Sequence, residues 1–188
     1  MEEKGFTLLE TTIVIAITMI LSAVMLGYSR SNEKQIALYR DQAIIVGVIN
    51  RAKSLALQRF NNPDNPNEEI CAFGVNFKYP KTFILFKDIK KSTMISCKDD
   101  ITGNYGGSGG YDVNEEFSAA DIFTLDSKLV FRDISGDQSG NLIFIPPDLE
   151  IKIDTSSPFI VNIQSTDGSL CSSVEVGAGG QITESNCN

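Results

Sequence analysis

Gly5-Phe6-Thr7-Leu8-Leu9-Glu10 opens a segment that continues without a charge from Thr11 to Ser29. Those nineteen residues are mostly Ile, Leu, Val, Met and Ala. They reach the length of roughly 18 residues at which an apolar run reads as a membrane-crossing helix. A carboxylate inside such a run is unfavourable in lipid and needs a compensating partner. Glu10 is that carboxylate, and the Gly5–Phe6 peptide bond lies just upstream. Cutting that bond creates an ammonium at Phe6, a natural counter-ion for Glu10 of a neighbouring chain. A cleaved secretory signal fits less well, because its apolar core spans only about 7–15 residues before a small-residue cleavage site.

Downstream of the apolar run, Arg30, Glu33, Lys34 and Arg40 mark emergence into water. Between Gln35 and Phe60 there is no proline, and Gly47 is the single internal breaker. Leu38, Ile45, Ile49, Ala52, Ala56 and Phe60 recur at spacings of seven, four, three, four and four. That periodicity describes one apolar stripe of an amphipathic helix. The spacing predicts a helix from Phe6 to Phe60, stopped by Asn61, Asn62 and Pro63. Gly27 is a softer point within it.

From Ile70 the pattern changes to short runs rich in Ile, Phe, Val and Thr, separated by polar turns. Strands are predicted at 70–77, 82–87, 93–97, 122–125, 129–132, 142–145, 149–154 and 159–164, followed by a terminal hairpin. Leu149, Ile151 and Ile153 alternate with Glu150, Lys152 and Asp154, the pattern of a sheet with one wet face. The expected fold is therefore α+β. A long N-terminal helix packs its second half on a mainly antiparallel sheet, or on two small sheets.

All four cysteines, Cys71, Cys97, Cys171 and Cys187, lie beyond the apolar run. An even number in an exported domain favours disulfides, with three possible connectivities. The runs 170–176 and 181–187 flank Gly177-Ala178-Gly179-Gly180. A turn centred on Gly179 sets Cys171 opposite Cys187, within reach of a disulfide; Cys71–Cys97 then follows by default. Zinc is disfavoured, because there is neither a histidine nor a Cys-x-x-Cys pair.

Net charge is −8, and no Lys or Arg follows Lys152. A nucleic-acid partner, which recruits Lys and Arg to phosphate, is not expected. Without histidine the commonest general base is missing, as are the Ser-His and Cys-His nucleophile pairs; no enzyme is expected. Gly103 to Tyr111 is glycine-rich, but Asp112, Glu115 and Glu116 follow rather than a Lys-Ser/Thr pair. It reads as a surface loop, not a phosphate cradle. Asp133 to Asn141 spaces oxygen ligands at alternate positions, as a loop holding a calcium ion near Asp133 and Asp137 would. An EF-hand needs Gly at position six and Glu at twelve, where Gln138 and Phe144 stand. The plainer reading is a polar turn.

Lys4-Gly5-Phe6-Thr7-Leu8-Leu9-Glu10 resembles the N-terminal signature of type IV pilins and type II secretion pseudopilins. The resemblance implies that a prepilin peptidase cleaves after Gly5 and methylates the amine of Phe6. It implies that Glu10 neutralises that amine in a neighbouring subunit during filament assembly. Residues 1–5 would be the leader, 6–29 the transmembrane and filament-core helix, 30–62 its amphipathic continuation, and 63–188 an extracytoplasmic β-rich domain. Cleavage would leave 15 Lys/Arg against 22 Asp/Glu, a net charge of −7. The implied location is the bacterial inner membrane, with the N-terminus cytoplasmic and the β domain outside, and then a pilus or pseudopilus. The implied partners are the peptidase, other pilin or pseudopilin subunits and the assembly platform. Asn50 to Leu57 is also similar to a stretch in GspH/FimT-like minor pseudopilins. Two features depart from the pattern. The leader Met1-Glu2-Glu3-Lys4 is not net basic, and Gly27 stands where many major pilins have proline. The other reading is a membrane-anchored binding or adhesion module that never polymerises.

Overall fold

A computed structural model describes residues 7–58, 70–89, 121–134, 139–146, 150–153 and 158–187. The fold is α+β. Helix α1 spans Leu8–Gln58. Among the described residues nine strands follow: β1 Ile70–Lys78, β2 Thr82–Ile89, β3 Ile122–Thr124, β4 Leu129–Ile134, β5 Ser139–Ile145, β6 Glu150–Ile153, β7 Phe159–Ser165, β8 Cys171–Val176 and β9 Ile182–Ser185. The expected strand at 93–97, the connector at 61–67, the glycine-rich loop at 103–111 and Asp137 lie outside the described residues. By its contacts the chain divides into two units, Met1–Ile36 and Ala37–Asn188.

In the second unit the strands form two sheets, ordered β3-β2-β1-β5-β6 and β4-β7-β8-β9. Every described pairing is antiparallel. Both sheets and the helix share one core. Leu38, Ile45, Ile49, Ala52 and Ala56 are buried in it together with Phe73, Val75 and Phe77 of β1 and Val161, Ile163 and Val174 of the second sheet. From Leu38 to Ala56 the stripe expected from helical spacing is the packed face, and Val48 joins it; Phe60 lies outside the described residues. Aromatic rings link the sheets. Phe77 stacks on Phe83 at 5.9 Å and meets Phe131 edge-on at 5.9 Å and Phe159 at 5.6 Å. Such pairs add about 0.5–1.5 kcal/mol each beyond the area they bury.

The single wet face expected from 149–154 does not extend to the central strands. Residues 71–77 of β1 are all buried, and Cys71, Ala72, Phe86 and Ile143 form a second small apolar cluster, with Ile145 packed against it. Alternation in the edge strand β6 misled the expectation, since an edge meets water more readily than the sheet centre. Gly74 shows how tightly this second face is filled. It pairs with Phe86 across β1–β2, and a Cβ added there would stand 2.5 Å from the Phe86 ring and 2.9 Å from the Leu142 carbonyl oxygen. Asn76 Nδ2 donates to Asn141 Oδ1 on the neighbouring strand at 2.7 Å, which gives each buried amide a partner.

Polar contacts fasten the helix to the sheets. The buried Asp41 accepts a hydrogen bond from the Asp126 backbone N–H at 2.6 Å and pairs with Arg40 at 2.8 Å. Arg40 also reaches Asp126 Oδ2 at 3.1 Å. The Lys128 backbone N–H, and then Arg40, hold the Asp126 carboxyl below the usual carboxylate range. Arg51 pairs with the buried Asp121 at 2.9 Å. Lys53 donates to the Gly180 carbonyl at 3.1 Å, in the turn where Gly180 takes φ of +73°.

That turn sets the terminal hairpin. Val176 pairs with Ile182 and Ser173 with Ser185, so the register is centred on Gly179 as expected. Continued outward it brings Cys171 opposite Cys187, and the two form a disulfide with Cα atoms 5.5 Å apart. Cys71 is also disulfide-bonded; its expected partner Cys97 lies outside the described residues.

Candidate functional site

The first unit carries the residues expected to act. Gly5 and Phe6, the proposed cleavage pair, lie outside the described residues. Thr7 stands just before the helix, and Glu10 is the acidic residue of its first turn. Thr7 donates to Glu10 Oε2 twice, from its backbone N–H and from Oγ1, each at 2.8 Å. The Glu10 backbone N–H returns a bond to Thr7 Oγ1 at 3.3 Å. This reciprocal pattern is a capping box, in which an N-cap hydroxyl and the acid three residues on satisfy each other's orphan backbone donors. One carboxylate oxygen is so engaged, and Oε1 has no hydrogen bond among the described residues. The reading from sequence found Glu10 but missed Thr7. The signal was present, since Thr-x-x-Glu ahead of an apolar run is the capping-box pattern.

From Thr11 to Met25 the helix presents apolar surface and hydroxyls turned back on its own backbone. Leu8–Met25 is long and apolar enough to cross a membrane, and none of it is buried within the chain. Leu8, Met19 and Met25 are 83%, 68% and 77% exposed. Thr11 and Thr12 donate to the Leu8 carbonyl at 2.9 and 3.1 Å, Thr18 to Ile15 at 2.9 Å, and Ser22 to Thr18 at 2.7 Å. Backbone and hydroxyl donors are thus satisfied within the segment, which is the requirement for a helix surrounded by hydrocarbon.

Other expected sites are placed as follows. Asp133 is half-buried on β4, and no cluster of three or more metal-ligating side chains occurs among the described residues. Cys171 and Cys187 are joined, on the hairpin and far in sequence from Glu10. The links from Arg40 to Asp126 and from Arg51 to Asp121 were not foreseen, because pairs separated by more than eighty or by seventy residues leave no local pattern. Comparison with protein-family models, with curated proteins and with solved structures found no match to this chain.

Proposed function

We propose that this protein is a structural subunit, a minor pilin or pseudopilin, of a type IV pilus or a type II secretion pseudopilus. The observation that carries the reading is an apolar segment, Leu8–Met25, unburied within the chain, whose one carboxylate, Glu10, lies in the first helical turn a few residues after the Gly5–Phe6 bond. Prepilin peptidase cleaves after Gly5 and methylates Phe6. The subunit waits in the inner membrane as a single-pass protein with its β domain outside. The assembly platform then brings it to other subunits, where the Phe6 amine of one chain meets Glu10 of the next. The β domain supplies the outer surface, and the chain performs no catalysis.

Intact mass of the mature protein tests this directly. Loss of Met1–Gly5 with the gain of one methyl group is expected, and replacing Gly5 should block both. Glu10→Leu should insert in the membrane yet fail to enter a filament; assembly at the wild-type level would defeat the counter-ion mechanism. One observation favours the second reading, an anchored binding module that stays single. Thr7 already satisfies one oxygen of Glu10 within its own chain, so the acid does not depend wholly on a neighbour. An uncut chain that retains Met1 would decide for that reading.

A further inference from the structure

We propose that the Asp167–Gly168 peptide bond, in the turn between β7 and β8, is a site of spontaneous isoaspartate formation that the folded turn restrains. It is the one Asp-Gly step in the chain, and no Asn-Gly step occurs. Glycine in second place matters because the reaction is an attack by the following backbone nitrogen, which a side chain on that residue obstructs. The turn is also open to solvent. Thr166, Asp167, Gly168 and Ser169 are all exposed, and the space where a Gly168 Cβ would stand has nothing within 4 Å. Exposed turns with few apolar contacts open locally at little cost in free energy. Asp126 before Ser127 is the natural comparison, since the following residue is again small. Its carboxylate accepts from the Lys128 N–H at 2.9 Å and from the Arg40 guanidinium at 3.1 Å, and its side chain is only 24% exposed.

The Gly168 nitrogen adds to the side-chain carboxyl carbon of Asp167 in its acid form. A bond from that nitrogen to Cγ forms, the C–OH bond breaks, and the hydroxyl leaves as water with the Gly168 amide proton. The product is a cyclic succinimide. Water then opens the ring at either carbonyl. Attack at Cγ restores aspartate, whereas attack at the backbone carbonyl leaves the main chain running through Cγ. Nothing is oxidised or reduced, and water is released once and taken up once. Two sets of bonds oppose the first step. The Gly168 N–H donates to the Ser165 carbonyl at 2.8 Å. Asp167 Oδ1 accepts from the Ser169 N–H at 3.3 Å and from its hydroxyl at 2.8 Å. Both must open before nitrogen and carboxyl meet. The product lengthens the main chain by one carbon inside a loop closed by the Ser165 N–H on the Leu170 carbonyl at 2.9 Å. Cys171, held in the disulfide, is the next residue.

The full chain in detergent micelles is held at neutral pH and physiological temperature and sampled over weeks, beside the same chain unfolded in urea. Its proteolytic peptides are separated by liquid chromatography with mass detection. Isoaspartate keeps the mass and shifts the retention, and the succinimide is lighter by one water. Methyl transfer from a labelled donor by an isoaspartyl methyltransferase counts the product. Isoaspartate is expected at position 167, more slowly in the folded chain than in the unfolded one, and none at position 126 while the chain is folded. Ser169→Ala removes one bond to Oδ1 and should raise the folded rate roughly fivefold, with the unfolded rate unchanged. Asp167→Glu keeps the charge and should abolish the product, because the larger ring it would need closes far more slowly. No product at 167 in the folded chain, or as much at 126 as at 167, overturns the site. Equal rates in the folded and unfolded chains, or in Ser169→Ala and the wild type, overturn the restraint.

Discussion

Ile17 and Ile49 belong to one helix and meet opposite surroundings. Ile17 is 52% exposed on a segment of which nothing is buried within the chain, whereas Ile49 is completely buried beneath two sheets. The polar groups differ in the same sense. Thr11, Thr12, Thr18 and Ser22 bond their own helix, while Arg40, Asp41, Arg51 and Lys53 bond residues far along the chain. The contrast separates a helix made apolar by its own domain's core from one made apolar by surroundings the chain does not supply. Apolar residues alone do not distinguish the two; the polar residues among them do.

The sharpest way to break this comparison is Ile49→Ala, which should destabilise the β domain by about 2–5 kcal/mol in chemical unfolding. Next, the double replacement Cys171→Ser with Cys187→Ser opens a loop of 16 residues' separation. It should cost about 3 kcal/mol on the chain-entropy account. Gly74→Ala follows at about 1–3 kcal/mol, because the Phe86 ring and the Leu142 carbonyl have to shift. Smaller still is an effect of acid. The pKa of Asp126 is depressed in the fold, so its contribution is complete above the ordinary carboxylate value of about 3.9 and is lost as pH falls through the folded value. The thermal stability of the wild type should therefore fall below about pH 4, and less of that loss should remain in Asp126→Asn. Last, Ile17→Ala should leave domain unfolding unchanged within about 0.5 kcal/mol. A larger change would mean that Ile17 is covered by its own chain after all.

Much of the fold was legible because it is written in local periodicity. The helical stripe from Leu38 to Ala56 and the hairpin centred on Gly179 both follow from spacing alone. What was illegible depends on residues distant in sequence. The buried outer face of β1 requires Phe86 and Ile143 to close over Ala72 and Gly74, and alternation in the edge strand β6 carries no information about that. Whether the strands form one sheet or two also stayed open, since strand order is a matter of long-range pairing. At the N-terminus Glu10 stood out as a charge among apolar neighbours. Thr7 did not, because a threonine there looks unremarked beside Thr11 and Thr12.

The inward-turned hydroxyls of the first unit have one more consequence. A rod that has already settled its polar accounts internally is indifferent to whether acyl chains or another greasy rod lie beside it. Passage between those two milieus exchanges dispersion contacts of similar strength and breaks no hydrogen bond along the shaft. Under the proposed assembly the cost of that passage is concentrated at Glu10, whose Oε2 holds two donors from Thr7 while Oε1 has no hydrogen bond among the described residues.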